Sequence, residues 1–184
     1  MELYLMTSNF SKYQEIKKVL SPYHIKIKRL NVDIPEIKSL DPQTVIIDKI
    51  NKAFQIVKKP VMVDDTGIFF QGYQNFPGTI SRFIFITLGF KGIFKLIKHH
   101  QPAVLKSYVG YLDKTLKNPK IFMGTCRGRL IKKIKGARRT KMPYDNIFIP
   151  NKETKTFAEL GIEGKQKYDH RSKAVRKLAK YLMK

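Results

Sequence analysis

Hydrophobic residues in the first part of the chain follow the two periods of regular secondary structure. Residues 3–6 are apolar and predict a first strand, and residues 25–28 alternate with period two and predict a second. Between them, Ser11 with Gln14 three residues later resembles a capping box, which predicts a helix through about Leu20. The chain is therefore expected to begin as strand, helix, strand.

A second helix and a third strand continue this order. Asp41 and Pro42 predict an N-cap followed by proline at the first helical position. The apolar residues behind them recur at helical spacing: Ile46, Ile50, Ala53, Phe54 and Val57. Residues 61–63 predict a short buried strand that places Asp64 and Asp65 at its end. This alternation is typical of an α/β fold.

The rest of the chain predicts three more strands and three more helices. The strands are expected at residues 68–70, 104–113 and 120–130. The last two of these strands are long enough to form an antiparallel pair. The helices are expected at residues 81–88, at residues 93–99 after a break at Gly89 and Gly92, and from about His170 to the end. The final helix carries one apolar stripe and is expected to pack on the core.

The composition predicts one folded domain over residues 1–184. Of these 184 residues 42% are hydrophobic, which is enough apolar surface for a packed core. A single cysteine, Cys126, excludes an intramolecular disulfide and a cysteine-based zinc site. No run approaches the roughly 20 apolar residues of a membrane span, and the segment from Met1 to Met6 is too short and too acidic for a signal peptide. A cytoplasmic protein without membrane association is expected.

Charge is the unusual property of this chain. Lys and Arg number 37 against 14 acidic residues, which gives a net charge of +23. Such a field attracts nucleic acid, anionic membranes or nucleotide phosphates, and it also occurs in lysine-rich proteomes without a special ligand. Eight of the fourteen acidic residues lie in the first 65 positions. The presence of an acidic pair beside an apolar strand in so basic a chain therefore requires an explanation.

Three short segments carry residues suited to chemistry. Thr7-Ser8-Asn9 with Lys12 lies between a strand and a helix, which suits phosphate binding and equally an ordinary capped turn. Asp64-Asp65 suits a magnesium site beside phosphates, or two solvated acids at a strand end. Glu36 is a possible second ligand or a surface residue. His170-Arg171 could contact a base or a phosphate, or could be solvated at the helix start.

Seven motifs in order resemble those of the inosine triphosphate pyrophosphatase family. They are Thr7-Ser8-Asn9-Phe10-Ser11-Lys12, Pro35-Glu36, Asp64-Asp65-Thr66-Gly67, Pro77-Gly78-Thr79-Ile80-Ser81, Met142-Pro143-Tyr144-Asp145-Asn146-Ile147-Phe148, Thr156-Phe157-Ala158-Glu159 and Lys165-Gln166-Lys167-Tyr168-Asp169-His170-Arg171. Each motif alone is weak, but their order and spacing over residues 2–183 are specific. The resemblance implies an elongated, two-lobed α/β fold, in which a long mixed sheet is flanked by helices and a nucleotide lies in the central cleft.

The same resemblance implies a reaction and a set of site residues. The reaction is the magnesium-dependent hydrolysis of ITP, dITP or XTP to the monophosphate and pyrophosphate by a homodimer. Glu36 and Asp65 would hold Mg²⁺, and Asp65 would be the catalytic residue that orients or deprotonates the attacking water. The implied substrate-binding residues are Thr7, Ser8, Asn9, Lys12 and Lys49 for the triphosphate, and Thr66, Tyr144, Asp145, Lys165, His170 and Arg171 for the rest of the nucleotide.

Three positions near the implied base site depart from the family pattern. Met142 replaces a stacking Phe, Pro143 replaces Gly, and Asp169 replaces Ser. Asp169 could accept a hydrogen bond from an amino group of the base, or could cap the last helix. A pyrophosphatase with altered base preference therefore remains an alternative.

A basic nucleic-acid-binding protein on the same fold is the other alternative. The retained carboxylates argue against a protein that only binds. Any polynucleotide binding is expected to be weak, non-specific and steeply dependent on salt.

Overall fold

The strands form one mixed sheet of seven strands in the computed structural model, which describes residues 2–184. They are β1 (Glu2–Met6), β2 (Lys26–Leu30), β3 (Val61–Phe70), β4 (Pro77–Gly78), β5 (Gln101–Leu112), β6 (Lys120–Leu130) and β7 (Phe148–Pro150). The order across the sheet is β2-β1-β3-β5-β6-β7, with β4 paired to β3. β1 is parallel to β2 and β3, and the other pairs are antiparallel. The predicted mixed α/β fold is confirmed; Met1 lies outside the described residues.

Helices flank this sheet. They are α1 (Phe10–Leu20), α2 (Pro42–Val57), α3 (Ser81–Leu96), α4 (Phe157–Gln166) and α5 (His170–Leu182). Among the described residues, none of them is long and apolar enough to cross a membrane.

The helix starts partly follow the prediction. The side chain of Asp41 caps α2 as expected, by accepting hydrogen bonds from the amides of Gln43 and Thr44. The capping box at Ser11 is wrong, because Asn9 caps α1 instead. The Asn9 side chain accepts hydrogen bonds from the amides of Ser11 and Lys12, at 3.1 and 3.2 Å. A side chain of the β1–α1 loop therefore fixes the start of α1.

β3 is one strand where two were predicted. Residues 61–63 and 68–70 belong to the same strand, because β5 pairs with β3 along its whole length. Asp64 and Asp65 therefore lie in the middle of β3 and not at a strand end. Gly67 makes the close approach of β4 possible, since a Cβ atom there would lie 2.6 Å from the carbonyl oxygen of Gly78. The acidic pair is held in the sheet by β5, where Asp64 lies opposite Val109 and Asp65 opposite Tyr108.

Two helices also differ from the prediction. Residues 81–96 form one helix, α3, with a break at Gly89, where φ is 57° and ψ is −173°. The expected separation at Gly89 is present, but the second part ends at Leu96 rather than near residue 99. α4 was not predicted, although its signal is in the sequence. Thr156 and Glu159 form a complete capping box at its start.

The buried side chains lie at the two ends of the long strands. One cluster packs around the Phe70 end of β3 and includes Phe148 and Phe157. Two further clusters pack around the Val61 end of β3, under α1, α2 and α5. These groups correspond to the two lobes of the expected fold. The middle of β3 lies between them, and there Asp65 faces the cavity described next.

Candidate functional site

A single cavity of about 420 Å³ brings together the site residues predicted from the sequence. All thirteen of them line it: Thr7, Ser8, Asn9, Lys12, Glu36, Lys49, Asp65, Thr66, Tyr144, Asp145, Lys165, His170 and Arg171. They come from α1, α2, β3, α4, α5, the loop after β1, the segment before α2 and the 3₁₀ turn before β7. Residues separated by more than 150 positions therefore meet at one site.

The β1–α1 loop forms one wall of the cavity. Its backbone is fixed by its own side chains, because the amide of Asn9 donates to Thr7 Oγ1 at 3.2 Å and the Asn9 side chain caps α1. Asn9 Nδ2 also donates to the carbonyl of Lys141 at 3.3 Å, which ties this loop to the opposite wall. The amides and hydroxyls at the start of α1, with Lys12, can bind phosphate oxygens.

Asp65 presents a buried carboxylate to the cavity. The residue is 8% exposed and has no salt bridge within the described residues, because Lys12 pairs with Asp64 and Lys49 pairs with Glu36. Burial raises the pKa of the Asp65 carboxyl above its ordinary value, although the charges of Lys12 and Lys49 oppose this effect. A carboxylate in this setting can accept a proton more readily than a solvated one.

Glu36 and Lys49 face each other at the edge of the cavity. Lys49 Nζ donates a short hydrogen bond to Glu36 Oε1, and half of the Glu36 side chain remains accessible. Burial acts to lower the pKa of Lys49, but the carboxylates of Asp65 and Glu36 outweigh it and raise this pKa. Lys49 therefore stays charged and is the counterion of two acids in the cavity.

The neighbouring Asp64 points away from the cavity and joins two of its cations. Its carboxylate pairs with Lys12 at 2.9 Å and with Arg171 Nε at 3.3 Å, and it accepts a hydrogen bond from Ser107. Burial acts to raise the pKa of Asp64, but Arg171 and Lys12 outweigh it and lower this pKa well below the usual range. β3 therefore places its two carboxylates on opposite sides. Asp64 binds Lys12 and Arg171, and Asp65 faces the cavity.

Glu15 is a functional-site residue that the sequence analysis missed. It lies on α1, is 3% exposed, and accepts hydrogen bonds from Lys165 Nζ at 2.9 Å and from Arg171. Arg139 approaches the same carboxylate at 3.4 Å and also pairs with Asp145 at 2.9 Å. Lys165 bonds to Asp145 at 2.8 Å. We call Glu15, Arg139, Asp145, Lys165 and Arg171 the buried ion network.

The buried ion network fixes charges in place before any ligand arrives. Burial would raise the pKa of Glu15, but Lys165 and Arg171 outweigh it and lower this pKa to about 2. The same network keeps Lys165 charged, because Asp145 and Glu15 raise its pKa against the effect of burial. Lys165 and Arg171 are almost fully buried, so the carboxylates of the network set the orientation of both side chains.

Neutral side chains complete the wall beside the buried ion network. His170 is 2% exposed, and burial lowers its pKa well below the ordinary value, so the imidazole is neutral at pH 7. Its Nδ1 atom is buried without a hydrogen-bond partner among residues 2–184. Met142 places its sulfur 3.7 Å from Arg171 and 3.9 Å from Lys165. Tyr144 donates its hydroxyl hydrogen bond to the carbonyl of Ser81 at 3.0 Å.

Asp169 caps α5, one of the two orientations left open by the sequence. Its carboxylate accepts hydrogen bonds from the amide of Ser172 at 2.8 Å and from the Ser172 hydroxyl at 2.6 Å. Asp169 is 2% exposed and does not line the cavity. The solvated placement considered for His170 and Arg171 is wrong, since both are 2% exposed. Asp169 holds the first turn of α5, and this turn carries those two residues into the cavity.

Comparisons with known proteins agree with this arrangement. Residues 3–181 match the family model of the Ham1 family. A dITP/XTP pyrophosphatase of Methanopyrus kandleri is 36% identical over 183 residues, which cover 98% of this chain and 96% of the relative. A dITP/XTP pyrophosphatase of Saccharolobus solfataricus is 34% identical, with coverage of 97% and 92%.

Solved structures show the same fold. A Ham1 protein of Coxiella burnetii superposes with a TM-score of 0.80 at 22% identity and covers 100% of this chain and 98% of that one. The Ham1 protein of Staphylococcus aureus gives a TM-score of 0.75 at 21% identity, with the same coverage. Motifs, whole-length relatives and fold agree, and the chain belongs to the Ham1 family, which confirms the resemblance to inosine triphosphate pyrophosphatases.

Proposed function

We propose that this protein hydrolyses non-standard purine nucleoside triphosphates such as dITP, ITP and XTP to the monophosphate and pyrophosphate. The observation that carries the proposal is the cavity of about 420 Å³, which is lined by all thirteen site residues predicted from the sequence. The relatives named dITP/XTP pyrophosphatase match nearly the whole chain, which supports the same substrate class.

Asp65 is proposed as the catalytic residue. Its carboxylate is buried, faces the cavity and has a raised pKa, which suits a group that orients and deprotonates water. The water would attack the α-phosphorus, a bond to the water oxygen would form, and the bond from the α-phosphorus to the leaving pyrophosphate oxygen would break. Lys12 and Lys49 lie close enough to act on the charge of Asp65 and would offset negative charge on the phosphates.

The donor atoms around Asp65 fit Mg²⁺. The Asp65 carboxylate is buried without a direct salt bridge, and Glu36 supplies a second carboxylate close by. Residues 2–184 contain no cluster of three or more His, Cys, Asp or Glu that could hold a metal ion. One or two carboxylates are sufficient for Mg²⁺, which takes its other ligands from water and substrate phosphates. When bound, Mg²⁺ would offset the charge that develops on the phosphate oxygens.

The remaining residues would hold the two ends of the nucleotide. Thr7, Ser8, Asn9 and Lys12 would bind the triphosphate through hydroxyls, amides and an ammonium group. Six further lining residues would enclose the ribose and base: Thr66, Tyr144, Asp145, Lys165, His170 and Arg171. The unpartnered Nδ1 atom of His170 can bond with the base, because a buried nitrogen without a partner is costly until it finds one. Asp169 caps the backbone of α5 and is therefore not among the residues that would contact the base.

We also infer that the protein acts as a homodimer. Phe83 and Ile86 on α3 are 65% and 69% exposed, and Leu40 is 68% exposed on the loop before α2. Thr79 bonds to the carbonyl of Ser39 at 2.6 Å, which brings this loop beside the start of α3. An exposed apolar surface of this kind favours a second copy as partner.

Sedimentation of wild type and of Ile86→Asp tests the proposed dimer. Wild type should sediment as a dimer and the variant as a monomer. A monomeric wild type would overturn the proposal.

A nucleotide panel with one active-site variant tests the function. Wild type should release pyrophosphate from dITP, ITP or XTP in the presence of Mg²⁺, and chelation should abolish the release. Asp65→Asn keeps the shape and removes the charge, so it should lower kcat by at least ~100-fold, the scale of a positioned acid–base group. Asp113→Asn, on the turn after β5 and outside the cavity, is the control and should stay within a few-fold of wild type. An Asp65→Asn rate near that of the control would remove Asp65 from the mechanism.

A further inference from the structure

A second cavity, separate from the candidate active site, lies between β6 and α5. Its volume is about 310 Å³, and we call it the α5–β6 groove. It is lined by Met123, Gly124, Thr125, Lys173, Arg176, Lys177 and Lys180. Four of these seven residues are cations and none is acidic. The groove shares no lining residue with the active-site cavity.

The four cations lie on one side of α5. Positions 173, 176, 177 and 180 are three or four residues apart, which places them next to one another along the helix. No salt bridge among the described residues includes any of them. Like charges at this spacing destabilise a helix. Helix stability therefore gives no reason for the cluster.

Protection of a sheet edge accounts for only part of the cluster. β7 pairs with β6 only at residues 128–130, so the earlier part of β6 has a free edge. Lys173 and Lys177 donate to the carbonyls of Thr125 and Met123 at 2.9 and 2.8 Å, as lysines on exposed edges commonly do. Each ammonium group keeps two further donors. Arg176 donates instead to the carbonyl of Gln166 at the end of α4, at 3.0 Å, and Lys180 makes no contact with β6 that would explain its position.

The shape and chemistry of the α5–β6 groove fit consecutive phosphate groups. The four cations extend over about 10 Å of helix, at ~1.5 Å per residue. No aromatic side chain lines the groove, so it offers no surface on which bases could stack. The net charge of +23 would concentrate polyanions around the molecule. We propose that the α5–β6 groove binds the phosphate backbone of nucleic acid without sequence preference.

Binding in the groove leaves the active-site cavity open. The first turn of α5 packs directly on Gly124, where a Cβ atom would lie 2.0 Å from the carbonyl oxygen of His170. This turn directs His170 and Arg171 into the active-site cavity, and the cations that follow it face the groove. The two sites therefore share a helix but have separate openings, and a nucleic-acid strand does not compete with a nucleotide.

A pair of charge-matched variants tests the proposal. Lys177→Gln/Lys180→Gln removes two exposed cations from the groove, and Lys91→Gln/Lys95→Gln removes two exposed cations from α3. Binding of two fluorescein-labelled 20-nucleotide single strands of different sequence is followed by anisotropy between 50 and 200 mM KCl. The groove variant should bind both strands at least about fivefold more weakly at 50 mM, with a salt slope reduced by about 1.4, or ~0.7 for each lost contact. The α3 variant should stay within twofold of wild type.

Two results overturn the proposal. Equal losses in both variants mean that the diffuse net charge binds the strands, and a strong preference for one sequence means that bases are read. Pyrophosphate release from dITP, measured on the same preparations, should be unchanged in the groove variant and shows that it is folded. Anisotropy measures binding without any need for catalysis, so the test remains valid even if the protein shows no pyrophosphatase activity. In that case, denaturation curves of wild type and variants show that they are folded.

Discussion

Glu15 is the residue at which three cations from distant parts of the chain meet. Lys165, Arg171 and Arg139 all reach its carboxylate, and Lys165 and Arg171 are almost fully buried. A buried cation that loses its partner keeps its desolvation cost without the compensating attraction. Glu15 therefore determines whether the cations beside the candidate base site stay in position.

Glu15→Gln should destabilise the protein by about 3 kcal/mol at pH 7, because Lys165 keeps only Asp145 and Arg171 keeps only Asp64 as a buried carboxylate partner. The pKa of Glu15 falls from 4.5 to about 2 on folding. Its contribution is thus complete above pH 4.5 and is lost as the pH falls towards 2. Urea unfolding of wild type and variant at several pH values should show a difference that narrows below pH 4.5.

Glu163→Gln is the control for this experiment, since the Glu163 side chain is 82% exposed and pairs with Lys18 at the surface. It should leave the free energy of unfolding close to that of wild type at every pH, because water and salt screen an exposed pair. A difference between wild type and Glu15→Gln that stays constant from pH 7 to pH 3 would contradict the linkage.

Short motifs identified the cavity residues from sequence, but they could not identify the buried ion network. Asp65, Lys12 and His170 each belong to a local pattern whose order along the chain is informative. Glu15 is 150 positions from Lys165 and 156 from Arg171, so its role depends on how α1, α4 and α5 pack. Asp169 shows the same limit, because only the structure distinguishes a helix cap from a base contact.

At the scale of elements, the first turn of α5 is held from two sides. Asp169 caps it, and Gly124 of β6 lets its backbone approach closely. Gly124→Ala would place a Cβ atom 2.0 Å from His170 O and 2.7 Å from Ala174 N, both of them backbone atoms that cannot move aside separately. The helix start must therefore shift, and His170 and Arg171 shift with it.

Gly124→Ala should destabilise the protein by roughly 1–3 kcal/mol or more through overpacking, and should lower kcat/KM for dITP by at least about tenfold. Gly164→Ala in α4 is the control, because its nearest contact would be Leu160 Cβ at 3.1 Å, which is much milder than the contacts with backbone atoms at Gly124. This control should stay within about 1 kcal/mol of wild type. Thermal unfolding and pyrophosphate release measure the two effects. Full activity of Gly124→Ala would show that the position of the α5 start does not matter to the site.

The sequence predicted the helices better where local capping was clear. Asp41 marks the start of α2. The capping box at Thr156 and Glu159 marks the start of α4 equally clearly, although α4 was not predicted. β3 is different, because the acidic pair and Gly67 interrupt its apolar pattern. Only pairing with β5 along the whole strand keeps these residues in the sheet. Tertiary contacts override local preference at the positions where the cavity forms.

At the scale of the whole molecule, the net charge of +23 sets up a repulsion that the fold has to overcome. The acidic residues at the centre, including Glu15, Asp64 and Asp145, neutralise buried cations. Most lysines lie on the surface instead, and several, including Lys91, Lys95 and Lys180, are exposed. The excess positive charge is therefore mostly peripheral, while most cations at the site face a carboxylate.

This distribution predicts that salt stabilises the protein. Surface repulsion is screened as the Debye length falls from about 30 Å at 0.01 M to about 10 Å at 0.1 M salt, whereas buried pairs are screened much less. The free energy of unfolding by urea should therefore rise by about 1 kcal/mol or more between 10 and 300 mM NaCl. Lys91→Gln/Lys95→Gln lowers the net charge by two at exposed positions and should make this increase smaller. A stability that falls as salt rises would show that attractive surface pairs, and not repulsion between like charges, dominate the electrostatics of the folded chain.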